Sequence, residues 1–216
     1  MKSPSNTLKM ILEELRDSKT QTPDGDAQQL ITMGLETIGR MQVIVEDVLK
    51  YTRVVDQLGP FAEVDLSELT DNILSDLRAD ITDNNASIEV AELARVPGDQ
   101  TQLRILFQNL IANAIKFHKP GESPKIKIQQ FPSVDGETLD IEIQDNGIGI
   151  AAENHDRIFG LFKRLHLKDE FQGSGLGLAI CKRVIVNHGG RITVDSAVGQ
   201  GTKFTITLPL HLDALL

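Results

Sequence analysis

Three separated segments constrain this chain of 216 residues more than any other feature. In chain order they read Asn109-Leu-Ile-Ala-Asn-Ala-Ile-Lys116, Asp145-Asn-Gly-Ile-Gly-Ile150 and Gly173-Ser-Gly-Leu-Gly-Leu178. Each alone has an ordinary interpretation, as a polar helix stripe, a turn after a strand or a glycine-rich loop. A fold that uses all three must bring a helix face, a strand end and a helix N-terminus to one place.

The first segment lies in a predicted helix that Asp99 caps and that continues to Phe117. Asn109, Asn113 and Lys116 share one helix face because they are spaced at i, i+4 and i+7. The opposite, apolar face is predicted to be buried; it holds Leu103, Phe107, Leu110, Ile111 and Ala114. Asn is a poor choice for a merely solvated stripe. Its carbonyl oxygen suits hydrated Mg²⁺, and Lys suits phosphate.

The second segment follows Leu139–Gln144, whose strict alternation predicts a strand with one buried face. Asp145 then stands at the strand's end, where its carboxylate can accept a hydrogen bond from an exocyclic amine. Gly147 and Gly149 lack Cβ atoms, which lets the backbone approach a flat base closely. The third segment predicts the start of a helix that runs to His188, with free N–H groups for phosphate. It lacks the Gly-Lys-Ser/Thr ending of a Walker A loop.

In order and spacing, these segments resemble the ATP-binding domain of sensor histidine protein kinases over about Val64 to Pro209. Asn109–Phe117 matches the family's N box, Asp145–Ile150 its G1 box and Gly173–Leu178 its G2 box. Phe159-Gly-Leu-Phe162 and Gly199-Gln-Gly-Thr202 match the F box and the last glycine motif. Phe117–Gly121 and Arg157–His166 look most like the kinase modules of bacterial and cyanobacterial phytochromes. The wider superfamily includes DNA gyrase, MutL and heat-shock chaperone ATPases.

The resemblance implies ATP and Mg²⁺ as ligands. It places Asn109 on Mg²⁺, Asn113 and Lys116 near the phosphates, and Asp145 on the adenine amine with Thr202 in support through water. Residues 151–172 would form a lid, with Phe159 and Phe162 anchoring its hinge and Lys163 or Arg164 reaching the γ-phosphate. The glycine-rich segments would contact the nucleotide through Gly147, Gly149, Gly173, Gly175, Leu176 and Gly177.

Composition limits the ligands and the cellular location that we expect for this chain. A net charge of −9 disfavours nucleic acid, and no run is long enough to span a membrane. We expect a cytoplasmic protein. The lone Cys181 cannot pair within the chain and is predicted to be a small buried residue. Because ATP is also an anion, its site needs local cations, which Lys116, Lys119, Lys163 and Arg164 can supply.

The front of the chain is predicted to be a helical hairpin, residues 1–58, followed by the ATP-binding domain, residues 59–216. Helices are expected over about Pro4–Asp17 and Asp26–Val55, with a polar turn at Thr20–Gly25. The longer helix repeats with coiled-coil spacing along Leu30, Gly34, Ile38, Met41, Val45, Val48, Thr52 and Val55. We therefore expect a homodimer through a four-helix bundle. Packing of the hairpin on its own second domain is judged less favourable because ~45 Å of helix exceeds a small domain's flank.

The resemblance also implies a phosphoacceptor histidine in the hairpin, and Met1-Lys-Ser-Pro4 matches only the end of that motif. The acceptor would then lie two residues before Met1, so we predict no catalytic residue and no autophosphorylation in this chain. The other histidines are expected at the surface or in loops; they are His118, His155, His166, His188 and His211. Ile105 stands where the family often has an acid or amide that orients the acceptor.

The predicted fold is α+β, a hairpin followed by an α/β sandwich whose mixed sheet is mainly antiparallel. The predicted function is that of a sensor kinase core, which transfers the γ-phosphoryl group of Mg·ATP to a histidine and onward to a response-regulator Asp. A receiver domain and an upstream sensor domain are the expected partners. Two alternatives stay open: a chaperone-like or DNA-repair ATPase, and a non-catalytic ATP-binding dimer that regulates or scaffolds a kinase.

Overall fold

A computed structural model describes residues 12–13, 25–56, 59–133, 136–163 and 174–211. The helix expected over Pro4–Asp17 lies outside these ranges except for Leu12 and Glu13, which are helical. The turn expected over Thr20–Gly25 lies outside them up to Gly25, which begins the next helix. The side chains of Leu30 and Val55 are also outside the described part.

Between residues 25 and 211, the described chain contains five α-helices, seven strands and two 3-10 helices, which are Ala152–Asn154 and Arg157–Phe159. The helices are α1 (Gly25–Asp56), α2 (Leu66–Asp76), α3 (Arg78–Asp83), α4 (Gln100–Lys116) and α5 (Gly177–Asn187). The strands are β1 (Ala62–Asp65), β2 (Ser87–Val90), β3 (Arg95–Gly98), β4 (Lys125–Pro132), β5 (Thr138–Asp145), β6 (Arg191–Ser196) and β7 (Thr202–Pro209). None of the described helices is long and apolar enough to cross a membrane.

The main sheet has five strands in the order β2-β4-β5-β7-β6. Only β2 and β4 pair in parallel, and the other neighbours are antiparallel. Strands β1 and β3 form a separate antiparallel pair. Side chains alternate along β5, where Leu139, Ile141 and Ile143 are buried. They face a helical layer that includes α4 and α5, while the other face of the sheet is polar. The predicted α+β fold with a mixed, mainly antiparallel sheet is confirmed.

Helix α4 forms as predicted. The Asp99 carboxylate caps it by accepting hydrogen bonds from the N–H groups of Thr101 (2.9 Å) and Gln102 (3.2 Å). Its apolar face is almost fully buried, as expected for Leu103, Phe107, Leu110, Ile111 and Ala114. Burial of this face against the sheet fixes the rotation of the helix, because the same residues cannot be exposed without loss of their hydrophobic stabilisation.

The long helix α1 differs from the prediction in what it contacts. Ile38 is buried, and a Cβ atom on Gly34 would lie 3.0 Å from the side chain of Leu12, so this part of the helix faces Leu12. Further along, Val54 is buried in the hydrophobic core that the residues after position 58 form. The expectation that the hairpin does not pack on its second domain is therefore wrong for the last turns of α1.

The prediction for His188 is also wrong. This residue, at the C-terminal end of α5, is fully buried. Its Nδ1 donates to the carbonyl of Val184 (2.7 Å), and its Nε2 accepts from the Asp99 N–H (3.0 Å). The Phe61 ring stacks on it at a centroid distance of 4.9 Å. Burial lowers the pKa of His188, which favours the neutral ring that this pair of hydrogen bonds requires.

Candidate nucleotide-binding site

Asp145 is the centre of the candidate site. It is the last residue of β5, and its Oδ1 accepts hydrogen bonds from the N–H groups of Gly147 (2.8 Å) and Thr202 (3.1 Å). Within the described residues, these are the hydrogen bonds to its carboxylate, so Oδ2 is left to accept from a ligand. Burial raises the pKa of the Asp145 carboxyl to about 6, although the two backbone N–H groups act in the opposite direction.

Glycines around Asp145 stand where no side chain has room. A Cβ atom on Gly147 would lie 2.3 Å from the carbonyl oxygen of Phe117, and one on Gly149 would lie 1.9 Å from that of Ala197. A Cβ atom on Gly201 would lie 2.0 Å from the carbonyl oxygen of Asp145 itself. Gly149 and Gly201 also have positive φ angles, of 70° and 83°. The loops after β5 and before β7 are thus held backbone to backbone.

The polar face of α4 approaches the glycines that begin α5. The Asn109 amide donates from Nδ2 to the carbonyl of Ile105 (2.8 Å), which orients the side chain. Its Oδ1 lies 2.9 Å from the position of a Cβ atom on Gly177, the first residue of α5. Asn113 and Lys116 are half-buried on the same helix, as the spacing predicted. Lys116 Nζ lies 5.0 Å from the centroid of the Phe117 ring.

The start of α5 has its own local structure. Gly175 has a positive φ of 76°, and Leu176 is buried at the N-cap position. The Leu176 N–H donates to the Ser174 hydroxyl (3.1 Å). Gly173, which the sequence places in this segment, lies outside the described residues.

The loop after the site contains the predicted lid. Phe159 is half-buried and meets Phe204 edge to face at 6.3 Å. Phe162, expected to anchor the loop with it, is instead 56% exposed with a φ of 58°. Lys163 is exposed, and Arg164 lies outside the described residues. The structure therefore brings Phe159 into the core and leaves Phe162 and Lys163 at the surface.

Sequence reasoning missed the groups that join these segments. The Phe117 carbonyl accepts from the Ile148 N–H (3.0 Å) and links α4 to the loop after β5. The Ser196 hydroxyl donates to the Gly201 carbonyl (2.7 Å) and accepts from the Ile150 N–H (2.8 Å). A backbone carbonyl carries no sequence signal, and nothing distinguishes Ser196 from other strand-end serines.

The site offers an acceptor that fits an adenine amine. Oδ2 of Asp145 has no partner among the described residues, and three glycines let the surrounding backbone segments meet closely beside it. No group of three or more His, Cys, Asp or Glu residues in the described chain could hold a metal ion. The amide oxygen of Asn109 does suit Mg²⁺ that arrives bound to phosphates, because this ion keeps several waters and needs few protein ligands.

Residues 98–212 match the model of the family described as histidine kinase-, DNA gyrase B- and HSP90-like ATPases. The mycobacterial sensor histidine kinase MprB is 32% identical with a TM-score of 0.60, and the match covers 69% of this chain and 97% of that structure. The structure of full-length ShkA in complex with AMPPNP has a TM-score of 0.69 at 26% identity, covering 95% of this chain and 43% of ShkA.

The phytochrome-like protein Cph1 of Synechocystis sp. is 38% identical to this chain over 210 residues. This match covers 97% of the chain but only 28% of Cph1. Cyanobacterial phytochrome A of Nostoc sp. is 40% identical, with 27% of its length covered. The chain thus corresponds to about a quarter of these curated relatives.

Proposed function

Since the chain belongs to the family of histidine kinase-, DNA gyrase B- and HSP90-like ATPases and contains the ATPase domain of a sensor histidine kinase, we propose that it binds Mg·ATP for phosphoryl transfer to a histidine. The acceptor would pass the phosphoryl group to an aspartate of a response regulator. The observation that carries the proposal is the Asp145 arrangement, in which two backbone N–H groups hold Oδ1 and leave Oδ2 for the adenine amine.

The residues near α4 and α5 would bind the other end of the nucleotide. We propose that Asn109 takes part in binding Mg²⁺ through Oδ1 and that Asn113 and Lys116 contact the phosphates. Free N–H groups at the start of α5 would add to this, because a helix N-terminus attracts negative charge. Mg²⁺ would neutralise charge that develops on the transferring phosphoryl group. Positioning and charge stabilisation supply most of the catalysis in such reactions, so no strong base is required.

The exposed face of α1 supports a homodimer. Met41, Ile44, Val45 and Val48 form an apolar stripe at spacings of three and four residues, and all are exposed in the single chain. We propose that residues 1–58 form the dimerisation hairpin and residues 59–216 the catalytic domain, with the lid within 151–172. A four-helix bundle of two hairpins would cover the stripe.

The partners follow from the same family membership. We propose a receiver domain as the phosphoryl acceptor after the histidine, an upstream sensor domain, and a cytoplasmic location. Cph1 and phytochrome A, which resemble this chain over almost its whole length, are much longer than the region they share with it. The sensor domain and the receiver domain are therefore proposed as partners of this chain.

The chemistry can be tested with labelled ATP and an acceptor. We expect the chain not to label itself, because none of the described histidines, His118, His155, His188 and His211, lies on an exposed helix. Placing a His-Asp-Leu segment ahead of Lys2 should give an acid-labile, base-stable phosphoprotein. Lys116→Ala should lower its labelling, with Lys127→Ala on the exposed face of β4 as the control. Labelling of the unextended chain on one of its own histidines would contradict the expectation that none of them is the acceptor.

Ile105 supports the alternative of a non-catalytic ATP-binding scaffold. It is half-buried against the core and offers no polar side chain to an acceptor imidazole. We expect Ile105→Glu to accelerate the extended protein, toward the lower end of the ~10²–10⁴-fold range for general-base assistance. If the extended protein binds ATP but stays unlabelled even with Ile105→Glu, the scaffold becomes the better account.

A further inference from the structure

One face of α1 packs along α5, and it is not the exposed apolar stripe. Asp47, Tyr51 and Val54 are spaced at i, i+4 and i+7 and so share this face. Val54 is buried in the core, Tyr51 packs against that core, and Asp47 is half-buried. We call these three residues the docked face.

Polar contacts fix both ends of the docked face. The Ser174 hydroxyl, just before α5, donates to Oδ2 of Asp47. At the other end of α5, Asn187 Nδ2 donates to the carbonyl of Val54 (2.8 Å) and to Oε1 of Gln102 on α4 (2.9 Å). The long helix is thereby held against both ends of α5.

The contact at Ser174 lies in the glycine segment proposed to bind phosphates. The same hydroxyl accepts from the N–H of Leu176, the N-cap residue of α5. Asp47 therefore brings a carboxylate to a helix N-terminus that would otherwise attract the nucleotide's negative charge. Lys50, which is 3.6 Å from Asp47 Oδ1, offsets this charge only in part because its side chain is 54% exposed.

We propose that Asp47 is an autoinhibitory latch: while α1 is docked, its carboxylate occupies Ser174 and repels the phosphates of ATP. Docking and nucleotide binding then oppose each other, so each must weaken the other by the same factor. A movement of α1 that withdraws Asp47 would free Ser174 and raise ATP affinity. This regulatory role rests on the proposed function, because it concerns the same nucleotide site.

The first test measures ATP and adenosine affinity by calorimetry on the full chain. Asp47→Ala and Asp47→Asn should each raise ATP affinity, by about five- to tenfold for the loss of one unit charge near a protein surface. Adenosine has no phosphate, so its affinity should change less than about twofold by the same reasoning. Glu46→Ala is the matched control: it removes the same charge one residue away, from an exposed position, and should leave both affinities unchanged.

A second readout follows docking itself. Tyr51 is the only tyrosine, and the chain has no tryptophan, so tyrosine fluorescence reports the docked face directly. Saturating ATP should make Tyr51 more accessible to acrylamide quenching, and adenosine should not. Asp47→Ala should expose Tyr51 without nucleotide, while Asp47→Asn, which keeps an oxygen that can accept from Ser174, should expose it less.

The outcomes separate the latch from the nucleotide site. If the unmodified chain does not bind ATP, the proposed function fails. If ATP binds but Asp47→Ala leaves its affinity unchanged or lowers it, the latch is wrong. A gain of equal size for adenosine and ATP, or an unchanged Tyr51 at saturating ATP, would likewise overturn the latch while the nucleotide site stands.

Discussion

The nucleotide site and helix α1 use glycine in opposite surroundings. At the site, a Cβ atom on Gly149 or Gly201 would meet a carbonyl oxygen at 1.9 or 2.0 Å. On α1, a Cβ atom on Gly39 would find no described atom within 4 Å. The site is therefore fixed by close backbone contacts within one chain. Helix α1 instead presents several faces with different surroundings. Its contacts therefore depend on which face meets a partner.

The largest effect should come from adding a methyl group at the site. Gly149→Ala should lower the free energy of unfolding by roughly 3 kcal/mol or more, since it combines a clash with a positive φ. The control is Gly199→Ala, which has a similar φ of 79° but no described atom within 4 Å of its Cβ position. It should lose only about 1–2 kcal/mol, the cost of the left-handed conformation. Urea unfolding measures both, and equal losses would refute the role given to backbone contact.

The exposed stripe of α1 should instead control assembly. Val45→Asp should convert dimers to monomers that still bind ATP, because an unpaired charge is costly to bury in an interface. Val43→Asp is the control, since Val43 is also exposed but points about 200° away around the helix. Light scattering should give a monomer only for Val45→Asp. A monomeric unmodified chain at micromolar concentration would contradict the stripe's role.

Acidification should weaken binding at the site because a proton competes with adenine for Asp145. Oδ1 is already bonded to two N–H groups, so the proton would bind Oδ2, the atom proposed to accept from the amine. With the pKa raised to about 6 by burial, affinity should be constant well above pH 6 and fall as the pH drops below it. The fall should approach about tenfold per pH unit, as for competition by a single proton.

Adenosine is the ligand to use in this titration, because phosphate groups titrate in the same range. NMR titration with adenosine across pH values below and above the Asp145 pKa of about 6 measures the effect. Asp145→Asn should bind more weakly and show no such dependence. A flat profile for the unmodified chain would remove Asp145 from the adenine contact.

The smallest effect should come from the open glycine of α1. Gly39→Ala should raise the free energy of unfolding by about 0.5–1 kcal/mol, because Ala favours the helix and has space at this position. Thermal unfolding would detect the gain. Destabilisation would mean that another chain or segment approaches Gly39 closely and covers this part of α1.

The sequence predicted those parts of the molecule in which local rules and packing agree. Asp99 caps α4, the alternation before Asp145 forms β5, and the apolar face of α4 is buried. Spacing could not reveal the docked face, since a heptad pattern marks apolar positions and Asp47 is polar. The sequence around His188 does not indicate that this residue is buried. Its burial depends on Asp99 and Phe61, which are distant in sequence.

Adenine recognition by Asp145 is the central claim, and calorimetry of ATP and GTP tests it most directly. ATP should bind the unmodified chain much more tightly than GTP, which offers a carbonyl where adenine has an amine. Asp145→Asn should cost about 1.5–3 kcal/mol of ATP affinity, as expected for a hydrogen bond to a charged group. Asp195→Asn, at an exposed carboxylate on β6, should leave ATP binding unchanged. Equal affinity for ATP and GTP in the unmodified chain would contradict the account.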